Sequence, residues 1–331
     1  MIITRVPFRL SLFGGSTDYE SFYSKHGSLC IGATIDKYVY TSVRFRPKVV
    51  DHESVIAYSK LERTSSHASI ENPLIRESLL KFNVDRAVDL HLFADIPSRT
   101  GLGGSSSCCV SLCYSIRKLL GLPVDKNLVA LDAIDIERGS LGEPGGIQDQ
   151  IWAAYGGLNS IEIKKDGDFR VKPLPVTKEF IQDFESSIFL VYTNTQRDTH
   201  NIAASHDSRG SSKARLSIKQ LAFEAYKLFC KENIKEIGEL MLETWNQKKK
   251  ISNSICTPEI ERLEGFLLSK KIYGMKLLGS GGSGFIAVLC RKGNKKRLMG
   301  AVEKKYDVLD LRVEFNGAQS ILEEKNDNII Y

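Results

Sequence analysis

No apolar run in this 331-residue sequence is long enough to cross a bilayer: the longest, around 187–192 and 285–290, fall far short of the roughly 20 residues a spanning helix needs. Cysteine is sparse and unorganised. Its seven residues, an odd number that includes the neighbours Cys108 and Cys109, contain no CxxC pair, which argues against a disulfide framework and for reduced thiols in a cytoplasmic protein. His26, His52, His67, His91, His200 and His206 lack ligand spacing of the HxxxH kind, so no histidine metal centre is expected. The opening MIITRVPFRLSLFGG has arginines inside its apolar stretch and no small-residue cleavage site, and reads as mature protein rather than a signal peptide. No internal repeat, low-complexity tract or aromatic–basic stripe is present, and the last of these absences argues against an RNA-binding role.

What is present is an ordinary globular composition, 42% hydrophobic and 26% charged, in a chain long enough for two α/β lobes sharing a cleft. The net charge of +6 is modest; the clusters NQKKKIS and KGNKKR read as solvated faces, though the balance also suits an anionic small substrate. Period-two alternation predicts strands over 6–13, 35–45 and 88–94. Helical spacing after the glycine–serine loop at 101–107 predicts a buried helix closed by Gly121 and Pro123, and a second helix over 126–138. An Asp-Gly turn at 166–167 predicts a hairpin, with the lobe boundary near 165–185. Beyond it the pattern predicts a strand over 188–193, helices over 211–232, 235–249 and 258–269, then a helix over 295–306 and a strand over 309–315.

Four motifs carry chemistry. PSRTGLGGSSS, from Pro97, has glycines at 101, 103 and 104 and leads into a helix N-terminus, so its backbone N–H groups and serine hydroxyls can cradle polyphosphate; a plain capped turn is the bland reading. It fits neither GxxxxGK[ST] nor GxGxxG, because Ser106 stands where the latter needs glycine. The strand-to-turn segment PFRLSLFGGSTDY places hydroxyls and the Asp18 carboxylate where a polyol needs acceptors, unless Asp18 only stabilises its own turn. Glu137 and Asp149 could divide labour between Mg²⁺ binding and the attacking hydroxyl, unless Glu137 merely pairs with Arg138 at the surface. Finally GSGGSG, with Gly279, Gly281 and Gly282, implies close approach to another loop or a ligand, or else a flexible hairpin.

Taken in order, these motifs resemble the GHMP kinase superfamily over nearly the whole chain, with Gly104 in place of the first serine of the family's Pro-x-x-x-Gly-Leu-Gly-Ser-Ser loop. The stretches GGSTDY, ATIDKYVY, EPGGIQDQ, YGGLNSIE, TWNQKKKIS and KLLGSGGSGF are most similar to its heptose phosphate kinase branch. The resemblance implies an α+β two-lobe GHMP kinase fold: residues 1–175 as an N-terminal lobe like ribosomal protein S5 domain 2, and 176–331 as a ferredoxin-like α/β lobe. It implies ATP and Mg²⁺ as cofactors and a phosphosugar as partner, with no nucleic acid or membrane, in a monomer or homodimer. The product would be a sugar 1,7-bisphosphate for nucleotide-activated heptose and bacterial surface glycans. By the same resemblance Asp149 and Arg9 are catalytic, Ser105 and Glu137 hold the metal, and Gly101, Leu102, Gly103, Gly104, Ser105, Ser106 and Ser107 hold the ATP phosphates. Gly14, Gly15, Ser16, Thr17 and Asp18 hold the sugar. Arg197, whose planar guanidinium suits a phosphate, is the first candidate for the substrate phosphate, ahead of Lys248 and Lys249. A kinase for fucose or galactose, and a non-catalytic sugar- and ATP-binding protein on the same fold, remain open alternatives.

Overall fold

A computed structural model describes residues 1–47, 49, 53–97, 99–193 and 211–324. Its first half is organised by two long strands, β1 (Ile2–Phe13) and β2 (Ser28–Phe45), joined through a short helix α1 (Glu20–His26). β3 (Ser54–Ala57) and β4 (Leu61–Thr64) form a hairpin, followed by helix α2 (Pro73–Lys81), which Asn72 caps by accepting from Leu74 and Ile75 N–H. β5 (Val88–Ala94) then pairs with the far half of β2, while β6 (Leu158–Ile163) pairs with its near half and carries β7 (Phe169–Pro173) as the predicted hairpin partner. The resulting eight-stranded sheet runs β12-β1-β2-β5-β3-β4, with β6 and β7 branching from β2, where β12 is Gln319–Glu323 at the far end of the described chain.

Helix α3 (Gly104–Leu119) lies across β1 and β2, and its contact is partly polar. Ser111 and Ser115 on α3 share hydrogen bonds of 2.7–3.1 Å with the buried hydroxyls of Thr4 and Thr41. Since each hydroxyl both donates and accepts, burial there leaves none of the four unpaired. The predicted helix over 126–138 forms as α4 (Lys126–Ile134) and then widens into a π-helical turn, Asp135–Ser140. A π turn adds a residue to the helical repeat and re-aims the side chains on it, and such turns are frequent at functional sites. Here it carries Glu137. Helix α5 (Gln148–Tyr155) follows the glycine-rich loop at 139–146.

Helix α6 (Lys178–Glu185) leads from this sheet to β8 (Ile188–Tyr192). Helices α7 (Ser212–Cys230), α8 (Ile234–Lys249) and α9 (Pro258–Leu268) then precede β9 (Gly274–Leu277), β10 (Phe285–Leu289), α10 (Lys295–Val302) and β11 (Val308–Leu309). The four strands are antiparallel in the order β11-β8-β10-β9, the ferredoxin-like arrangement. One expectation fails: the strand predicted over 309–315 stops at Leu309. The chain is drawn off the second sheet by the middle of β2, where Asp36 N–H donates to the Arg312 carbonyl and Glu314 N–H to the Thr34 carbonyl, before it pairs with β1 as β12. The predicted helix over 295–306 is likewise shorter, ending at Val302.

One core cluster spans both sheets, from Phe8, Leu10 and Phe13 on β1 to Phe180 and Phe184 on α6 and Phe229 on α7. The fully buried Phe229 ring meets Phe13, Phe180 and Phe184 at centroid distances of 6.3, 5.9 and 6.2 Å. Phe229→Ala should therefore lower unfolding stability by about 3–5 kcal/mol, read from urea denaturation, and a loss below ~1 kcal/mol would show that the lobes do not unfold as one packed unit.

Candidate active site

The glycine–serine loop turns on two left-handed residues, Gly101 (φ 78°) and Gly103 (φ 74°), the latter at the N-cap of α3. Any side chain is obstructed there: a Cβ on Gly101 would lie 2.8 Å from the Leu278 carbonyl oxygen, and one on Gly103 2.9 Å from Arg9 Cγ. Gly104, where the resembling family has serine, faces the Phe8 ring, which a Cβ would approach to 3.2 Å. Leu102 is buried and its carbonyl accepts from Arg9 N–H; Ser107 Oγ donates to the Pro7 carbonyl, 2.9 Å away, and ties the helix to β1. Ser105 and Ser106 line the cleft in front of the helix N-terminus.

Glu137, on the π turn, is 1% exposed and accepts from Gln150 Nε2 at 2.5 Å and from the hydroxyls of Ser105 and Ser106. It does not pair with Arg138, whose guanidinium donates instead to the carbonyls of Glu143 and Gly146. Burial raises the Glu137 pKa above the ordinary carboxylate value, against the opposing charge of Arg138 and the serine and glutamine donors. A buried carboxylate beside serine hydroxyls, with Gln150 Oε1 also buried and unpartnered, is an all-oxygen donor set that fits a hard cation such as Mg²⁺. Among the described residues no cluster of three or more His, Cys, Asp or Glu could hold a metal by itself, so the remaining ligands would come from nucleotide phosphates and water.

Across the loop, Arg9 and Asp149 form a two-pronged pair: Nε to Oδ1 at 2.7 Å and Nη2 to Oδ2 at 2.6 Å. The third prong, Nη1, donates to the Gly101 carbonyl at 2.5 Å. One guanidinium thus fixes strand β1, the phosphate loop and the first turn of α5 together. Next to it lies the turn after β1. Thr17 Oγ1 bonds the Gly14 carbonyl and Ser28, Ser16 takes a left-handed φ of 77°, and Gly14 passes so close to β2 that a Cβ would stand 2.0 Å from the Leu29 carbonyl. Asp18 does brace its own turn, through Ser16 N–H at 3.1 Å, but also takes the backbone N–H and side-chain amide of Gln148 at 3.2 and 3.1 Å. Gly146 must be glycine, since a Cβ would fall 1.8 Å from Asp18 Oδ2. Burial and then the Asp149 charge push the Asp18 pKa up to about 6.

The second glycine loop closes the wall. Gly279 (φ 71°) packs on Gly101, where a Cβ would be 2.6 Å from Gly101 Cα; Gly281 sits against Ile255, whose carbonyl accepts from Gly282 N–H at 2.9 Å. The close approach expected of these glycines is therefore to neighbouring backbone, and the Phe285 N–H to Thr100 carbonyl bond at 2.9 Å continues it. Arg9, Ser16, Asp18, Gly101, the residues 103–106, Glu137, Gly146, Asp149 and Gly279 border one cleft of about 610 Å³, whereas Gly14, Thr17, Leu102, Ser107, Gly281 and Gly282 do not line it. Two lysines not singled out for the cleft's chemistry also line it: Lys276, and Lys248, considered only as a secondary phosphate ligand. A lysine inside an apolar strand pattern was the available signal for Lys276. Lys249 points elsewhere and pairs with Glu264 at 2.8 Å, and Arg197 lies outside the described residues.

Profiles of the GHMP kinases match the chain twice, the N-terminal domain over residues 72–157 and the C-terminal domain over 225–308. The chain belongs to the GHMP kinases. A D-glycero-alpha-D-manno-heptose 7-phosphate kinase of Campylobacter jejuni is 28% identical over 319 residues, 92% of this chain and 93% of that protein. Among solved structures, a D-glycero-D-manno-heptose 1-phosphate kinase from Bacteroides thetaiotaomicron superposes with TM-score 0.81 at 24% identity, over 98% of this chain and 100% of the other. A Lactococcus lactis galactokinase complexed with galactose superposes with TM-score 0.76 at 17% identity, over 96% of this chain and 94% of the other. As a GHMP kinase the protein is an ATP-dependent phosphotransferase with an alcohol acceptor. No helix among the described residues is long and apolar enough to cross a membrane.

The Asp18 carboxyl gives a direct readout of the site's electrostatics. Its folded value of about 6 is above the ordinary 3.8, so its contribution to stability is full below about 3.8 and is lost as pH rises through about 6. Carbon-13 NMR of the carboxyl should show a midpoint near 6, moving down in Asp149→Asn because a like charge is removed. An unmoved midpoint would place the two carboxylates too far apart to interact.

Proposed function

We propose that this GHMP kinase transfers the γ-phosphoryl group of ATP to the anomeric hydroxyl of D-glycero-D-manno-heptose 7-phosphate, giving the 1,7-bisphosphate. The observation that carries the reading is the Arg9–Asp149 pair, set between the N-terminus of α3 and the Asp18 turn. The sugar is supported by similarity along nearly the full length of a heptose 7-phosphate kinase. The reduced thiols and the need for ATP fit a cytoplasmic location.

In this mechanism the loop amides from Gly101 to Ser106 and the positive end of α3 receive the triphosphate, since the first N–H groups of a helix have no intrahelical partner, no side chain caps this one, and residues 103–106 line the cleft. Ser105 and Glu137 would hold Mg²⁺, which supplies charge neutralisation on the phosphate oxygens. Asp18 and the turn at 14–17 orient the sugar through its hydroxyls. Asp149 accepts the hydrogen bond of the attacking hydroxyl. Both its oxygens accept from Arg9, which holds the carboxylate in one orientation; an anomeric hydroxyl, more acidic than an ordinary alcohol, makes little demand for a strong base. Arg9 then lies where negative charge builds as the phosphoryl group moves.

Two measurements test this. A panel of heptose, fucose, galactose and their phosphates, with the product position read by phosphorus NMR, should show fastest turnover on heptose 7-phosphate and a new phosphate at C1; preference for an unphosphorylated sugar would overturn the substrate. Asp149→Asn should lower kcat by at least about tenfold if the carboxylate takes the proton, the lower end of what such catalysis contributes being ~10²-fold. A smaller fall assigns it orientation alone.

A further inference from the structure

Lys248 on α8 and Lys276 on β9 are 4% and 3% exposed, yet neither has a carboxylate partner within salt-bridge distance among the described residues. Lys248 Nζ donates to the carbonyls of Leu277 (3.1 Å) and Gly279 (2.5 Å). Lys276 Nζ donates to those of Ser11 and Leu12, both at 2.8 Å, so it also ties the second sheet to β1. An ammonium has three N–H donors. Each lysine therefore holds one in reserve, and both line the cleft. Ser283, 2% exposed, lines the same cleft with its hydroxyl unpartnered.

The charge balance points the same way. Lys276 feels Arg9, Lys248, Asp18 and Cys30; Lys248 feels Lys276, Arg9 and Asp149. Arg9 and two buried amines thus face two carboxylates, one of which, Asp18, is drawn toward its neutral form. Glu137 and Arg138, also at the cleft, oppose one another. Burial lowers the pKa of both lysines, joined by repulsion from Arg9 at Lys276, which falls to about 7, and by repulsion from Lys276 and Arg9 at Lys248. Protonating both amines leaves a surplus of buried positive charge, which a bound anion offsets.

We propose that Lys248 and Lys276, with the Ser283 hydroxyl, form a phosphate subsite in the wall of the cleft contributed by the C-terminal lobe. Two oxyanions share the required chemistry: the phosphate ester of the acceptor sugar and the γ-phosphoryl group in transit. Assigning the ester rests on the phosphosugar reading above; the subsite itself does not.

The probe for the subsite is inorganic sulfate, a dianion that does not titrate near neutrality. Calorimetry at pH 7 in buffers of different ionisation enthalpy should show the wild-type protein taking up a fraction of a proton as sulfate binds, because the anion restores the Lys276 proton. Lys276→Met should abolish that uptake, and Lys248→Met and Lys276→Met should each weaken sulfate roughly ten- to hundredfold, the size of one lost charge-assisted bond. In turnover, a rise in KM for the phosphosugar with little change for ATP or unphosphorylated heptose assigns the acceptor's ester; equal falls in kcat with both sugars assign the γ-phosphoryl group. Failure of the wild-type protein to bind sulfate overturns the proposal even if neither variant folds. So do folded variants with unchanged affinity for sulfate, phosphosugar and nucleotide. Failure of heptose 7-phosphate to react, with lysine-dependent sulfate binding intact, would overturn the substrate reading and leave the subsite standing.

Discussion

The guanidinium of Arg9 is the interaction on which the site depends. It is 4% exposed, and its three prongs reach Asp149 and the Gly101 carbonyl, so β1, the phosphate loop and α5 are brought into one register by a single rigid fork. A charge this deeply buried is tolerated only when its donors are satisfied, and the geometry that satisfies them also places the Asp149 carboxylate. Gly103 is left-handed and bare because Arg9 passes directly beside it. Structure and chemistry share the same contact.

Around that fork, close backbone packing does what side chains do elsewhere. Gly101 meets Gly279, Gly284 meets the Thr100 carbonyl, and Gly146 meets Asp18, each at a separation that excludes a Cβ. Absence of side chains lets the loops of the two lobes pack backbone against backbone. The aromatic cluster of Phe13, Phe180, Phe184 and Phe229 supplies apolar burial behind this polar wall, so the lobes are held by a core rather than by the cleft itself. Charge within the cleft is then distributed unevenly, with carboxylates at the turn after β1, the π turn and the start of α5, Lys248 at the second glycine loop and Lys276 against the end of β1.

Much of this was legible in the residue order. Alternation located β1, β2 and β5, the Asp-Gly turn located the β6–β7 hairpin, and the four motifs named Arg9, Asp18, the loop at 101–107, Glu137, Asp149 and the glycines at 279–282, which the fold gathers at one cleft or in its wall. These signals are local: a period, a turn dipeptide or a glycine cluster is set by neighbours in the chain. What was missed is non-local. The segment after Leu309 reads as a strand by composition, but its fate is decided by hydrogen bonds to β2 nearly three hundred residues earlier. The helix ending near 138 gave no sign of widening into a π turn, and the partners of Glu137 on that turn, Gln150 and the serines of the glycine loop, come from other segments of the chain.

By itself, then, the sequence determined the individual strands, helices and tight turns, since periodicity and glycine placement constrain the backbone directly, while its motifs taken in order carried the resemblance to the family and its two-lobe α+β fold. Only the tertiary structure decided that Glu137 turns away from Arg138 toward Ser105 and Ser106, that Asp18 is braced by Gln148, and that Lys248 and Lys276 are buried cations rather than solvated ones. The physical reason is the same in each case. Burial, protonation and pairing depend on distances between residues far apart in the chain, and those distances exist only after the sheets have closed on one another.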